Sequence, residues 1–419
     1  MTTPEEAAKA AERVARESYG RLLAFLAVRT RDVAAAEDAL GDAFAAALRT
    51  WPRDGVPANP AAWLLTAARR NQADSFRRSK TREASEPHLR MIFDEISATS
   101  SSLEPDIIPD RRLALMFACA HPAIERGIRA PLILQTILGF TAEDLSAAFL
   151  LPAATMGQRL VRAKTRIRDA GIPLVVPEKE ELAERLDAVL DAIYAAYSKG
   201  WNEVGDAGTP EIAEEAVWLG RLVVSLLPQE PEAKGVLALM LYAEARRSAR
   251  RDETGAYVPF EEQDINLWNA SQIADAERLL REASQSGPAG RFQWEAAIQS
   301  AHAARRVTGV PNWPAVLELY DHLVALTDSP VVALNRAVVL AEVEGAQSVL
   351  DDTMASLGED KRMLGYQPYW AAKGHLLARA RRTSEAAEAF TVAIGLTTDE
   401  AVRTYLQRQL ARIRYSPPQ

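Results

Sequence analysis

Residues 141–168, TAEDLSAAFLLPAATMGQRLVRAKTRIR, predict two helices joined by a tight turn. Thr141 is a suitable N-cap residue, and Asp144 three positions later completes a reciprocal helix start. Leu151-Pro152 should break the first helix, because Pro152 lacks the amide hydrogen that a helix interior needs. A second helix can begin with Pro152 as its first residue.

The second predicted helix combines an apolar stripe with many cations. Its apolar residues recur at helical spacing, as Met156, Leu160, Ala163 and Ile167. Its polar surface is formed by Gln158, Arg159, Arg162, Lys164, Arg166 and Arg168. This combination is typical of a helix-turn-helix whose second helix enters the DNA major groove. An ordinary helical hairpin with a solvated basic face would show the same pattern.

The composition is that of a globular protein with local basic clusters. The chain has 419 residues, of which 48% are hydrophobic and 25% charged, and this length predicts about two to four domains. The net charge of -8 excludes a uniformly basic surface for nucleic acid, so local clusters must decide where phosphates bind. One cluster is the helix above, and the other comprises Arg69, Arg70, Arg77, Arg78, Lys80 and Arg82.

Helical periodicity extends over almost the whole chain, and alternating β-branched runs are scarce, so we predict an all-α fold. Residues 5–50 should form two helices with a break at 30–32. The loop 52–60 is dense in turn formers and should precede a basic amphipathic helix over 61–80. Residues 83–109 have the composition of an acidic linker that contains serine and proline.

The remaining helical pattern follows in two parts. Residues 110–172 should form a small helical unit that ends in the helix-turn-helix, and residues 173–419 are long enough for a helical array. Within the array, 331–357 and 368–396 both read as helix, turn, helix, at an offset of about 37 residues. We therefore predict a tetratricopeptide-like repeat, with a generic alanine-rich bundle as the alternative. Residues 250–263 are predicted as a long inserted loop.

The sequence contains no recognisable catalytic constellation. The five histidines are scattered, and glycine-rich phosphate-binding and nucleophile motifs are absent. The single cysteine, Cys119, excludes a disulfide framework, and its apolar neighbours predict a buried structural thiol. We therefore predict a protein that is not an enzyme and needs no cofactor or metal. The polar N-terminus and the lack of long apolar runs predict a cytoplasmic protein without a membrane partner.

Two segments near the N-terminus carry candidate binding residues. One predicted helix has an acidic stripe, Glu37, Asp38 and Asp42, and an opposite side with Leu40, Phe44 and Leu48. The stripe is either a solvated face or a docking site for a basic partner, since complementary charge steers association. The helix over 63–78 joins cations, an amide and an aromatic residue, which together can hold phosphates, read base edges and flank an unstacked base.

The order of these features resembles bacterial extracytoplasmic-function sigma factors. The resemblance rests on the acidic helix, the proline-rich loop, AWLLTAAR at 62–69, the linker, and LPAATMGQRLVRAK at 151–164. Shorter strings also fit, namely NPAAW at 59–63, FDEI at 93–96, CAHP at 119–122, and Gln263-Asp264 with Trp268. More narrowly, the whole chain resembles the subgroup with a long C-terminal tetratricopeptide-like domain.

The resemblance implies a sigma-2 domain (1–82), a linker that threads through the polymerase (83–109), a sigma-4 domain (110–172) and a C-terminal array (173–419). The residues implied to bind the clamp helices of the polymerase β′ subunit are Glu37, Asp38, Asp42 and Phe44. Those implied to melt and read the −10 promoter element are Asn59, Trp63, Arg69, Arg70, Asn71, Asp74, Arg77 and Arg78. Sigma-4 would contact the β flap and the −35 element, with Thr155, Gln158, Arg159, Arg162, Lys164 and Arg166 at the DNA.

Three residues depart from the family pattern. Gly41 stands where glutamine is usual, Arg70 where asparagine is usual, and Ser75 where arginine is usual. All three fall on the helices to which the resemblance gives polymerase and −10 contacts.

We predict from these observations a sigma factor that binds core RNA polymerase and directs it to specific promoters. The C-terminal array would support or regulate the sigma part in cis and offer a surface to a protein or peptide partner. One alternative is a conventional helix-turn-helix regulator with a helical-repeat sensor domain, which would bind duplex DNA without polymerase. Another is a tetratricopeptide scaffold, which would bind neither. The acidic stripe at 37–42 separates these classes, because only a sigma factor needs it.

Overall fold

The computed structural model describes residues 3–80, 111–149, 151–175, 177, 179–202 and 210–415. All regular secondary structure in these ranges is helical, which confirms the predicted all-α fold. The linker predicted at 83–109, with Arg82 and the FDEI string, lies outside the described residues. The chain divides into two compact units, Met1–Ala196 and Tyr197–Gln419. No helix in the described ranges is long and apolar enough to cross a lipid bilayer.

The described part of the first unit is built from helices on both sides of residues 81–110. They are α1 (Pro4–Thr30), α2 (Val33–Asp54), α3 (Pro60–Lys80), α4 (Arg112–Cys119), α5 (Arg126–Leu138), α6 (Ala142–Phe149), α7 (Ala153–Asp169) and α8 (Lys179–Asn202), whose last residues belong to the second unit. Helices α1, α2 and α3 pack on one another, α1 also contacts α4 and α5, and α7 contacts α2, α5 and α6. The helix-turn-helix therefore packs directly on the N-terminal helices.

The predicted break between the first two helices is confirmed at Arg31 and Asp32. Arg31 adopts a left-handed backbone conformation with a φ of 56°, and its N–H donates to the carbonyl of Ala27 at 2.8 Å. Asp32 then caps α2, because its side chain accepts the N–H of Ala35 at 3.0 Å.

The predicted loop 52–60 is shorter than expected, because α2 continues to Asp54 with Pro52 inside its last turn. A proline at that position removes only one hydrogen bond near the helix end. The turn is anchored by Trp51, which is buried and packs edge-on against Trp63 with 5.5 Å between the ring centroids. The loop is therefore confined to 55–59.

The helix-turn-helix forms as predicted, with one difference at its turn. The N–H of Thr141 donates to the Asp144 carboxylate at 2.8 Å, and the N–H of Asp144 donates to the Thr141 hydroxyl at 3.2 Å. Pro152 has an extended backbone and is the N-cap of α7, so the helix begins at Ala153 and not at the proline. The predicted apolar stripe is buried, namely Met156, Leu160, Ala163 and Ile167.

Cys119 at the end of α4 is buried, as predicted for a structural thiol. Its Sγ lies 3.7 Å from the hydroxyl oxygen of Thr136 on α5. Burial raises the pKa of the thiol to about 12. Since the thiolate is the reactive and metal-binding form, this side chain serves packing between α4 and α5.

The second unit continues the helical pattern to residue 415. Its described α-helices are α9 (Pro210–Leu226), α10 (Pro231–Ala245), α11 (Ala270–Ala283), α12 (Arg291–Ala303), α13 (Arg305–Thr308), α14 (Trp313–Leu326), α15 (Pro330–Glu344), α16 (Ala346–Leu350), α17 (Thr353–Glu359), α18 (Lys361–Leu364), α19 (Gln367–Arg379), α20 (Thr383–Leu396) and α21 (Glu400–Tyr415). Most contacts join helices that are close in the chain, such as α10 with α11 and α19 with α20.

The two segments predicted as a repeat differ in their second helices. The first consists of α15 followed by the short helices α16 and α17, whereas the second is the continuous pair α19 and α20. The break in the first falls at Asp351-Asp352, since aspartate competes for backbone hydrogen bonds and is a weak helix former. In the second pair the helices approach each other closely at Gly374. A Cβ added to this glycine would lie only 2.9 Å from the ring of Phe390.

Residues 250–263 form the predicted inserted loop, with a short 3-10 turn at Phe260–Glu262. We call this loop the strap, because it is tied to the last helical segment. Arg251 pairs with Asp399 at 2.9 Å across a separation of 148 residues. The rings of Tyr257 and Tyr405 pack edge-on at 5.5 Å.

The Gln263-Asp264 and Trp268 motif lies at the end of the strap and forms part of the core. Gln263 and Trp268 are buried, and Phe260 stacks on Trp268 at 5.8 Å. The guanidinium of Arg305 lies over both rings, 5.6 Å from Phe260 and 5.4 Å from Trp268. These contacts indicate a structural role in holding the strap against the helices.

Candidate nucleic-acid and partner interface

Asp38 and Asp42 are exposed and lie one turn apart on the same face of α2. Phe44 is half-buried. Leu48 was expected on the buried side with Leu40, and that expectation is wrong, because Leu48 is 50% exposed while Leu40 is fully buried. Leu48 lies four residues from Phe44, so these two side chains are neighbours on the helix surface, on a different side from Asp38 and Asp42. The accessible surface of α2 therefore carries carboxylates on one side and apolar side chains on another.

Glu37 does not share the solvated position predicted for the acidic stripe. The ammonium of Lys164 on α7 donates to the carboxylate Oε2 of Glu37 at 2.5 Å, and the two side chains are only 12% and 18% exposed. Burial raises the pKa of the Glu37 carboxyl, and the Lys164 ammonium opposes that shift. The contact therefore joins a residue predicted to bind polymerase to one predicted to bind DNA.

The N-terminal end of α3 places two residues predicted to act at the −10 element. Asn59 is exposed, and its side-chain oxygen accepts the N–H of Ala62 at 3.0 Å, which caps the helix. Trp63 is half-buried and packs on Trp51. Both residues have structural contacts in addition to any role in binding.

Further along α3, Arg70 is exposed while its neighbours turn inwards. The guanidinium of Arg69 lies over the ring of Phe25, 4.9 Å from the centroid. The amide of Asn71 donates to the carbonyl of Ala39 at 3.4 Å. The side chains of Asp74, Arg77 and Arg78 lie outside the described part of the structure, so their predicted role stays a prediction.

The exposed face of α7 carries most of the residues predicted to act at the −35 element. Thr155, Gln158, Arg162 and Arg166 are exposed at spacings of three and four residues, which place them on one side of the helix. A shallow depression lies along this side, lined by Gly157, Gln158, Val161 and Arg162. The face is polar, basic and accessible.

Arg159 and Lys164 are not free cations on this face, which corrects the prediction that both decorate the exposed surface. Arg159 pairs with Glu125 and is 19% exposed. Lys164 lies two residues from both Arg162 and Arg166, so it points to a different side of the helix. It is held there by Glu37.

Two residues in this region were missed by the sequence reasoning. Glu125 pairs with Arg159 across 34 residues, and no local spacing could have indicated that contact. Gly20 lies inside α1, where a Cβ would be 1.9 Å from the carbonyl oxygen of Ile137 on α5. A glycine in the middle of a helical pattern was a signal of close packing, because glycine lowers helix stability.

Comparison with known proteins finds matches to two segments of the chain and to nearly its whole length. Residues 15–82, which include most of α1 and all of α2 and α3, match sigma-70 region 2. Residues 185–284 match a family of unknown function, DUF6596. The chain is 35% identical over 405 residues to the uncharacterized protein R00370 of Rhizobium meliloti (strain 1021), covering 96% of this chain and 94% of that protein. No solved structure matches the chain.

Sigma-70 region 2 is a part of sigma factors, which bind RNA polymerase and promoter DNA for transcription initiation and are not themselves enzymes. It occupies the helices that carry the acidic stripe and the basic residues of α3. The chain therefore belongs to one family with R00370 and is a sigma-70 family factor.

Proposed function

We propose that the chain is an extracytoplasmic-function-type sigma factor with a tetratricopeptide-like C-terminal array, acting in the cytoplasm. The observation that carries the proposal is the region 2 match on α1 to α3, where Asp38 and Asp42 are exposed one turn apart. The division into sigma-2 (1–82), linker (83–109), sigma-4 (110–172) and array (173–419) is part of the proposal.

In this proposal the accessible surface of α2 docks on the clamp helices of the polymerase β′ subunit. Asp38 and Asp42 supply negative charge, while Phe44 and the half-exposed Leu48 supply apolar contact. Charged groups at the rim of an interface mainly steer association, and apolar groups at its centre mainly slow dissociation. Glu37 can join this surface only when Lys164 no longer holds it.

The promoter contacts would be divided between α3 and α7. Asn59 and Arg70 are exposed at the −10 surface, while Arg69 and Asn71 hold α3 against the other helices. On α7, the exposed Gln158 and Arg162 would read base edges, and Arg166 would contact phosphate. Sigma-4 would also contact the β flap.

The second unit would act in cis on the sigma part and offer its helices to a protein or peptide partner. Support comes from the closely packed pair α19 and α20 and from the helix-pair offset in the sequence. Stacked helix pairs form extended surfaces that bind peptides or neighbouring domains.

The test is binding of the full chain to purified core RNA polymerase, followed by transcription from its promoters. Asp38→Arg combined with Asp42→Arg should weaken core binding at least about tenfold, or about 1.4 kcal/mol, because attraction becomes repulsion. The weakening should lie mainly in the association rate and diminish at high salt.

Glu318→Arg combined with Glu388→Arg is the matched control, since it makes the same charge change on exposed residues of the second unit. Equal affinity of the Asp38/Asp42 variant and the control would contradict the docking surface. Binding of the unaltered chain to duplex DNA, without any binding to core polymerase, would favour the conventional helix-turn-helix regulator.

A further inference from the structure

The exposed side of α7 carries a branched apolar side chain among its polar and basic ones. Val161 is 64% exposed, whereas the apolar stripe from Met156 to Ile167 is buried on another side of the helix. Exposed Gln158 and Arg162 are its neighbours on the helix surface. Because Val161 adds nothing to the core, its position is better explained by what this side of the helix binds.

Gly157 lies one turn before Val161 and makes α7 less stable, because glycine favours a helix less than alanine does. The packing does not require this glycine. Within the described residues, a Cβ added there would meet the Cβ of Ala142 at 3.8 Å, which is an ordinary contact. The absent side chain instead leaves space, since Gly157 lines the shallow depression together with Gln158, Val161 and Arg162.

We propose that Val161 and Gly157 form a specificity site for a thymine in the upstream promoter element. The C5-methyl group of that base would lie in the depression, against the side chain of Val161. The inference rests on the proposed function and deepens it, because it names a base that the exposed side of α7 selects.

The chemistry of the depression favours thymine over the other bases. Thymine presents an apolar methyl group in the major groove, where the other bases present hydrogen-bond donors and acceptors. Val161 can bury such a methyl group but cannot hydrogen-bond a base edge. Gln158 and Arg162 border the same depression, and amide and guanidinium groups suit adenine and guanine edges. The thymine should therefore lie next to base pairs that these two side chains hydrogen-bond.

The test begins with the complex of the full chain and core RNA polymerase. The complex selects its preferred promoters from duplexes that are randomised in the upstream element, and the selected element should contain a thymine at a fixed position. Each thymine is then replaced by uracil, which lacks only the C5-methyl group and keeps every hydrogen-bonding group. At one position this exchange should weaken promoter binding about fourfold, the factor expected when one buried carbon group is removed.

Val161→Ala should bind the thymine and uracil promoters equally, because the shortened side chain no longer reaches the methyl group. Val307→Ala is the matched control, since it makes the same change at a valine of the second unit that is 92% exposed, and it should keep the fourfold preference. The proposal is overturned if Val161→Ala still prefers thymine, or if the unaltered chain tolerates uracil at every position. Weaker binding of Val161→Ala to core polymerase without DNA would also overturn it, because the valine would then serve a protein contact.

Gly157→Ala separates recognition from stability. The added methyl group occupies part of the depression, so the preference for thymine over uracil should fall, while the melting temperature of the protein should not fall. Gly395→Ala is the matched control, because it also adds a methyl group to a helical glycine and meets nothing within 4 Å among the described residues. An unchanged thymine preference in Gly157→Ala would show that the methyl group does not lie in the depression.

Failure of the proposed function would give a different result. If the chain does not bind core polymerase, the proposed function fails, and the selection and the uracil exchange are repeated with the chain alone on duplex DNA. A thymine preference that depends on Val161 would then support the specificity site in a conventional regulator. If neither the complex nor the chain alone selects a sequence, the specificity site is overturned as well.

Discussion

Replacing Lys164 with methionine should destabilise the first unit by about 2 kcal/mol at pH 7. Methionine keeps an apolar stem but removes the ammonium beside Glu37. The carboxylate is 18% exposed, and within the described part of the chain its Oε1 is buried without a hydrogen-bond partner. Removing one partner of a fully buried pair costs about 3–5 kcal/mol, whereas exposed pairs contribute less than about 1 kcal/mol. The partial burial places the expected loss between these limits.

Protonation of Glu37 limits the loss of stability in Lys164→Met and makes that loss depend on pH. Burial raises the pKa of this carboxyl and Lys164 opposes the rise, so the pKa should be higher still in Lys164→Met. Protonating a carboxyl of ordinary pKa costs about 3.7 kcal/mol at pH 7 but only about 1 kcal/mol at pH 5. When the pKa is raised in the folded state, that state binds a proton more readily than the unfolded chain, so stability rises as the pH falls. The destabilisation should therefore shrink below about 1 kcal/mol at pH 5.

The assay is urea-induced unfolding at pH 5 and pH 7, with hydrogen exchange of peptides from α2 and α7 to assign the transition to the first unit. Glu37→Gln combined with Lys164→Met is the control, because it removes both charges and should regain most of the loss. An equal loss at both pH values would refute the electrostatic argument and attribute the effect to packing of the lysine stem.

Two further predictions concern the recognition face and the second unit. Arg162→Ala should reduce discrimination between upstream promoter sequences by about 1–3 kcal/mol, whereas Arg166→Ala should weaken binding to all sequences about equally, as run-off transcription on promoter variants would show. Gly374→Ala should destabilise the second unit by about 1–3 kcal/mol in thermal unfolding, because the added Cβ would lie 2.9 Å from the Phe390 ring, whereas Gly395→Ala should not.

The local features of the helix-turn-helix could be predicted because they depend on residues a few positions apart. Thr141 and Asp144 cap the same helix, and the stripe from Met156 to Ile167 repeats at the helical period. The helical break at Arg31-Asp32 was predicted for the same reason. Short-range spacing determines such features almost completely.

The corrections arise where distant parts of the chain meet. Glu37 and Lys164 are separated by 127 residues, and each has a plausible solvated position when its own helix is considered alone. Pro52 predicts the end of a helix, yet α2 continues to Asp54. The preceding residue, Trp51, is buried and holds this last turn against the protein. Helical spacing shows which residues share a face, but only tertiary packing decides which faces are covered.

The strap between residues 250–263 and the last helix changes how the second unit can unfold and evolve. Repeats that contact only their neighbours can unravel from one end, and a duplicated repeat lengthens them without disturbing the rest. Here the ion pair between Arg251 and Asp399 joins residues 148 positions apart in the chain. The ring contact between Tyr257 and Tyr405 joins the same two segments. Loss of α21 would release the strap. An extra repeat inserted between Arg251 and Asp399 would separate these two residues. The number of intervening helices is thus constrained by this contact, and a contact between residues so far apart in the chain slows folding.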